Sequence, residues 1–311
     1  MKIKTRPILM ALGLTSLIAC GKSEVTDTPT SGDITISVDE SFQPIIASQV
    51  NTFEGIYKYA QIEPQYKSEG AVITDLLNDS LQIAVISREL TTQEQSVFDQ
   101  RKIIPRVTKI AIDAVALIVN NDNPDSLLTM DQVKGIFNGE VKNWKDINSE
   151  TNLENITIVF DNNNSSTSRY VRDSLIASHK LPQNTFASNS HQALIDYVSQ
   201  NKNALGVIGV NWISDLDDST AVGFLQKIKV IGISKEANPI TTESYYQPYQ
   251  AYIAQGAYPL RRFLYIISTE GRAGLGTGFV SFVAGDKGQR IILKSGLVPA
   301  TMPVRVIGLG N

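Results

Sequence analysis

A single cysteine, Cys20, and two histidines, His179 and His191, are all that this 311-residue chain holds of two residue types on which much site chemistry depends. One thiol excludes an internal disulfide, and a lone thiol in an exported protein needs an explanation of its own. Two histidines, each beside polar residues, leave little for a metal cluster or a Ser-His-Asp arrangement, and both read as surface positions. Charge of one sign is lacking as well. Lys and Arg number 28 against 31 Asp and Glu, for a formal net charge of −3. With no basic cluster, nucleic acid is excluded as a partner class. Past residue 19 no apolar run is long enough to span a bilayer. P-loop, HExxH and GxSxG motifs are missing, and so are internal repeats. "GRAGLGTG" (271–278) does not meet the strand-GxGxxG-helix spacing, so a nucleotide site is not assigned to it. Trp144 and Trp212 read as core. Tyr245, Tyr246, Tyr249 and Tyr252 fit a cleft lining or a half-buried hinge segment equally well.

What is present starts with a basic "MKIKTR" followed by the apolar "PILMALGLTSLIA", too short to cross a membrane comfortably. It runs into "LIAC" and Gly21, which resembles the lipobox of bacterial lipoproteins, where the chain is cut before a cysteine that carries lipid. The resemblance implies a signal peptide over residues 1–19 and a lipid anchor on Cys20. Residues 20–33 then form the lipidated cysteine and a flexible tether, since "KSEVTDTPTSGD" has no large apolar group except Val25. Loss of residues 1–19, with Lys2, Lys4 and Arg6, moves the formal charge from −3 to −6. An anion bound by such a chain is held by local hydrogen bonds and dipoles, not drawn in by net charge. The remainder, from about Ile34 to Asn311, is long enough for two compact lobes.

Strand-length apolar runs alternate with runs of helical period. "ITISV" (34–38), "IAVIS" (83–87), "AVALIVN" (114–120), "ITIVF" (156–160), "GVIGV" (206–210), "IKVIGI" (228–233) and "FLYIIS" (263–268) read as strands. Phe42, Ile45, Ile46, Gln49, Val50 and Phe53 step at three and four, as one face of a helix does. "TMDQVKGIF" (129–137), "HQALIDYVSQ" (191–200) and residues 279–296 are also helical in pattern. The alternation predicts α/β layers with largely parallel pairing.

Ligands in such sheets sit at the carboxyl ends of strands. Three strand-to-helix turns carry hydroxyls there: "VDESF" (38–42), "ISRELTTQE" (86–94) and "FDNNNSSTS" (160–168). The first amides of a helix have no intrahelical acceptor, and the helix dipole adds partial positive charge, so a tetrahedral oxyanion fits without a cofactor. Ser, Thr, Asp and Asn are also ordinary N-caps, so each turn alone has that reading too. The third turn, with Ser165, Ser166, Thr167 and Ser168, holds more hydroxyls than one cap uses.

These residues, with "LTMDQVKGIFNGEVKNWKDIN" (128–148), "NNNSSTSRYV" (162–171), "ALGVIGV" (204–210), "YPLRRFLYI" (258–266) and "FVSFVAGDKGQRIILKSGLVP" (279–299), resemble the phosphate-binding substrate-binding proteins of ABC transporters, in their order along most of the chain. The resemblance implies a two-lobed periplasmic binding protein fold of type II, with a hinge of two crossing segments near residues 109–114 and 255–265. Lobe 1 is then 34–110 plus 262–311, and lobe 2 is 111–261. It also implies a monomer at the periplasm or cell surface, without cofactor, that binds phosphate or a related oxyanion and hands it to an ABC permease. Carried over by position, Ser41, Phe42 (through its amide), Ser87, Ser165, Ser166 and Thr167 are ligand-binding. Arg88 is either a fork on the ligand or in a salt bridge to a nearby acid such as Glu89 or Asp39.

Three departures qualify the resemblance. Asp161 stands where many members have an arginine, Ser166 replaces the loop's middle glycine, and the first turn carries Asp39 and Glu40. A carboxylate there repels a dianion but accepts the proton of monohydrogen phosphate, which selects protonated oxyanions over sulfate. The same fold binding another anion for sensing is an alternative. A serine-based hydrolase is disfavoured, since no histidine lies near these motifs to act as base.

Overall fold

The computed structural model describes residues 27–303, so the signal segment and Cys20 lie outside the described residues. β1 (Ser31–Asp39) passes through a short 3₁₀ turn into α1 (Gln43–Ile56), followed by β2 (Tyr59–Lys67), α2 (Glu69–Leu77), β3 (Ile83–Ile86) and α3 (Thr92–Gln100). β4 (Arg106–Asn120) is a strand of 15 residues. After it come β5 (Leu127–Thr129), α4 (Met130–Asn138), β6 (Thr157–Phe160), α5 (Ser166–Leu175), β7 (Thr185–Ala187), α6 (His191–Gln200) and β8 (Ala204–Gly209). The chain closes with α7 (Ser219–Leu225), β9 (Ile228–Val230), β10 (Gly232–Ser234), α8 (Gln250–Gln255), β11 (Arg261–Ser268), α9 (Leu275–Ala284), α10 (Asp286–Lys294) and β12 (Val298–Pro299).

One curled sheet carries most of the strands, in the order β2-β1-β3-β11-β4-β8-β6-β7. β4 links its two halves. The stretch Arg106–Ala114 pairs with β11, and Val115–Val119 pairs with β8. The expected crossing segment 109–114 lies on β4, and the second, 255–265, runs from the end of α8 into the first half of β11. Helices cover the sheet because their apolar residues recur on one face. In α1 the buried set is Ile45, Ile46, Gln49, Val50 and Phe53, the stripe read from the sequence. Phe53 meets Phe279 and Phe282 of α9 edge-on, at 5.7 and 5.3 Å between ring centres. Each such buried side chain stabilises the fold by about 1.5–3 kcal/mol.

Four readings change. Pairing is mixed, not largely parallel: β1–β2, β1–β3, β6–β7 and β6–β8 are parallel, while β4 is antiparallel to β8, β9, β11 and β12. "IKVIGI" is two short strands, β9 on the main sheet and β10 on a separate pair with β5. Residues 279–296 form two helices broken at Gly285, where the backbone turns extended. The tether does not reach residue 33. β1 begins at Ser31, and Asp27 accepts the Leu275 amide at 2.9 Å. Gly278 shows why this contact needs a glycine, since a Cβ there would lie 1.8 Å from the Pro29 carbonyl oxygen. The tempting "GRAGLGTG" is thus the loop and first turn of α9, packed under the N-terminal strand. Among the described residues no helix is long and apolar enough to cross a membrane.

Candidate functional site

The carboxyl ends of β1, β3 and β6 bring the three hydroxyl-bearing turns to one face. At the end of β1, Asp39 is fully buried and accepts the Ser41 amide at 3.0 Å. Its other oxygen has no partner. Burial pushes the Asp39 carboxyl up to about 7, with Glu69 adding repulsion and Arg262 opposing both. Ser41 is buried beside it, and Asn211 donates to the Ser41 carbonyl at 3.1 Å. Phe42 is buried too, and its ring lies under the Arg262 guanidinium at 4.7 Å. The Glu40 carboxyl is raised by partial burial and then by Asp161 across from it.

In the β6–α5 turn every hydroxyl already has a neighbour. Ser165 caps α5 by accepting the Ser168 amide at 3.2 Å, and its own hydroxyl lies 2.8 Å from Asp161. Thr167 donates to the same Asp161 oxygen at 2.8 Å, and Ser168 donates to the Asn163 carbonyl at 3.0 Å. Ser166 differs. It donates to the Ser41 hydroxyl at 3.1 Å, 125 positions away in the chain, and so ties the second half of the sheet to the first.

Ser87, after β3, is close to these groups but its donors are in use. Its amide and its hydroxyl both point to one oxygen of Glu69, at 3.0 and 2.7 Å. Glu69 is 2% exposed. Burial alone would raise its carboxyl, yet Arg169 and Ser87 hold it below the ordinary value. Arg88 is directed elsewhere. Its guanidinium makes a two-pronged salt bridge with Glu94 at 2.7 and 2.7 Å, so of the two readings the salt bridge to a nearby acid is the one seen, with Glu94 as the acid in place of Glu89 or Asp39. Glu94 closes a capping box with Thr91 at the start of α3, and that local geometry claims Arg88.

The arginine that reaches the β6–α5 serines is Arg262 of β11. It is 4% exposed and paired through Nε to Asp113 of β4 at 2.7 Å. One terminal nitrogen donates to Ser166 at 2.9 Å, and the other has no partner. Gly209, at the end of β8, makes room for it: a Cβ there would lie 2.7 Å from that free nitrogen. A signal for this pair stood in the sequence. Arg262 alternates with Leu264 and Ile266 on one strand face, and Asp113 interrupts "IAIDAVALIV", so both are charges on buried faces.

His191 corrects another expectation. It is not at the surface but 5% exposed, stacked on Trp212 at 4.2 Å, with Nε2 3.4 Å from Asp161. Burial holds its imidazole down to about 4, so it is neutral at physiological pH. His179 is exposed. Asp39, Glu40, Glu69, Asp113 and Asp161 thus face Arg169 and Arg262, and the site is not positive. An anion at such a place is held by directed donors and not by net charge.

A model described as the PBP superfamily domain matches residues 23–287. Phosphate-binding protein PstS of Pseudomonas aeruginosa is 23% identical over 291 residues, covering 89% of this chain and 85% of that protein. The Staphylococcus saprophyticus protein of that name is 26% identical over 285 residues, covering 90% and 85%. A Clostridium perfringens substrate-binding protein solved with bound phosphate superposes with a TM-score of 0.72 at 21% identity, over 87% of this chain and all of that one (100%). An ABC-type phosphate transport receptor from Vibrio cholerae gives 0.64 at 23% identity, over 86% and 100%. The two-lobed fold is common to these structures, and the superfamily match runs through all three turns, β4 and β11: the chain belongs to the PBP superfamily.

Proposed function

We propose that this protein captures phosphate, or a related oxyanion that carries a proton, between two lobes and delivers it to an ABC importer. Lobe 1, expected over 34–110 plus 262–311, takes in β1 from Ser31 as well, and lobe 2 is 111–261. Cys20 carries the lipid anchor, and the receptor works as a monomer on the outer side of a bacterial membrane. The phosphate-binding relatives support the ligand class.

One observation carries the reading: Arg262 keeps a buried donor free, and Asp39 keeps a buried oxygen free, around the same serines. A monohydrogen phosphate offers what both lack. An anionic oxygen accepts from Arg262, and the P–OH proton goes to ionised Asp39. Ser41, the Phe42 amide and Ser165 to Thr167 supply the remaining donors, each hydroxyl exchanging its present neighbour for a ligand oxygen. Sulfate brings no proton and leaves ionised Asp39 unpaired, which is unfavourable in a desolvated place. Ser41 and Ser166 now touch, so the halves separate to admit the ligand and close on it, the bridging donors being met together only in the closed form.

Titration calorimetry on ligand-stripped protein with phosphate, arsenate, sulfate and molybdate tests this. Heat with phosphate and arsenate, and little with sulfate above pH 7, is expected. Silence with all four ions overturns the reading. Asp161, where many members of the family carry an arginine, favours one second reading, another anion bound by the same fold, which predicts silence with phosphate and heat with one of the other ions.

A further inference from the structure

Glu69 collects what an oxyanion oxygen would collect. Its Oε1 accepts the Ser87 amide, the Ser87 hydroxyl and one Arg169 nitrogen at 3.3 Å, and its Oε2 accepts Arg169 Nε. Arg169 also donates to the Ser87 hydroxyl at 2.8 Å. A main-chain amide, a hydroxyl and a guanidinium fork therefore converge on a carboxylate that belongs to the protein. Glu69 opens α2, where a negative charge is favoured by the helix dipole. Arg169 belongs to α5, on the far side of the cleft, 100 positions along the chain.

We infer that Glu69 is an internal anion, which latches the empty cleft shut through Arg169 and competes with the incoming ligand for Arg169 and Ser87. Two consequences follow from the geometry. Separating the halves breaks the Arg169–Glu69 pair, so the ligand-free protein is biased towards closure. A ligand oxygen reaches Ser87 only by displacing a carboxylate of like sign, so binding is weaker than the donor set would allow. The competition rests on the phosphate reading above, whereas the latch does not.

The experiment compares wild type, Glu69→Gln, Arg169→Gln and the double variant, each checked for folding by circular dichroism. Small-angle scattering without ligand reads the latch, and calorimetry with inorganic phosphate reads the competition. Glu69→Gln is expected to enlarge the radius of gyration and to tighten phosphate binding by roughly tenfold or more, as one regained charge-assisted hydrogen bond would. Arg169→Gln is expected to open the empty protein without that gain, and the double variant to lose it. If Glu69→Gln fails to fold, Arg169→Gln still decides the latch. Unchanged scattering in the folded variants overturns the latch. Unchanged or weaker phosphate binding in Glu69→Gln overturns the competition, while a loss of binding in Arg262→Gln keeps the phosphate reading intact. If neither wild type nor Glu69→Gln binds any tetrahedral ion, phosphate reading and competition fall together, and scattering still judges the latch.

Discussion

Arg262 and Arg169 both donate to a serine in the cleft, yet the first keeps a nitrogen free and the second keeps none. Arg262 is buried and held by Asp113, with one terminal nitrogen unmatched. Arg169 is more exposed and spends its nitrogens on Glu69, Ser87 and Asp173. Desolvating a donor without an acceptor is unfavourable, so a free buried nitrogen calls for an acceptor. A satisfied guanidinium marks a contact that is already complete. On the readings proposed above, the difference separates a ligand group from a closing group, although by residue type the two are alike.

The largest expected effect breaks that comparison on the Arg262 side. Arg262→Gln leaves Asp113 buried without its partner and should lower stability by about 3–5 kcal/mol in urea unfolding. Oxyanion binding should be lost with it. Adding Asp113→Asn should restore much of the stability and none of the binding, which separates structural support from ligand contact. If phosphate still binds the double variant as tightly as wild type, Arg262 is not the ligand group.

Asp39 comes next. Its folded-state value of about 7 lies above the model-compound value of 3.8, so between these limits the native state binds a proton that the unfolded chain does not. Its contribution to stability is therefore present at low pH and falls as pH rises through that window, by about 1.4 kcal/mol per unit. In Asp39→Asn this slope should vanish from urea unfolding measured without ligand between pH 5 and 7. The same variant should lose discrimination between phosphate and sulfate. Unchanged selectivity in both Asp39→Asn and Glu40→Gln would remove the proton-acceptor role.

Gly209→Ala sharpens the comparison, because the new methyl presses on the free Arg262 nitrogen and not on Arg169. Destabilisation of about 1–3 kcal/mol is expected, with weaker phosphate binding in calorimetry. Arg88→Gln should do least. Its pair with Glu94 is partly exposed, so stability should change by about 1 kcal/mol or less, and phosphate affinity should stay as in wild type.

The sequence made the turns legible because their signals are local. The β6–α5 turn is a strand end, a cap and a run of short hydroxyls, all within a few residues. Arg88 was within reach of the same logic, for the Thr91-to-Glu94 capping box lies in "TTQE" and places a carboxylate beside it. Glu69 was not. An acid in the first turn of a helix is what dipole chemistry favours anyway, and its partners Ser87 and Arg169 are 18 and 100 positions away. Arg262 and Asp113 meet across 149 positions, so their strands show that two charges are buried without showing that they neutralise each other. The burial of His191 is not legible in the sequence, because polar neighbours along a helix say nothing of the indole that covers the ring.

β4 belongs to both halves of the sheet and changes partner between Ala114 and Val115, so in the two-lobed reading proposed above its mid-point would be the fulcrum of an opening. Asp113 and Arg262 pair beside that mid-point, where displacement would be smallest, while Ser41 and Ser166 would ride on the arms. An arriving ion would thus find its positive charge stationary in every posture of the molecule, a fixed berth over which the hydroxyls afterwards sweep shut.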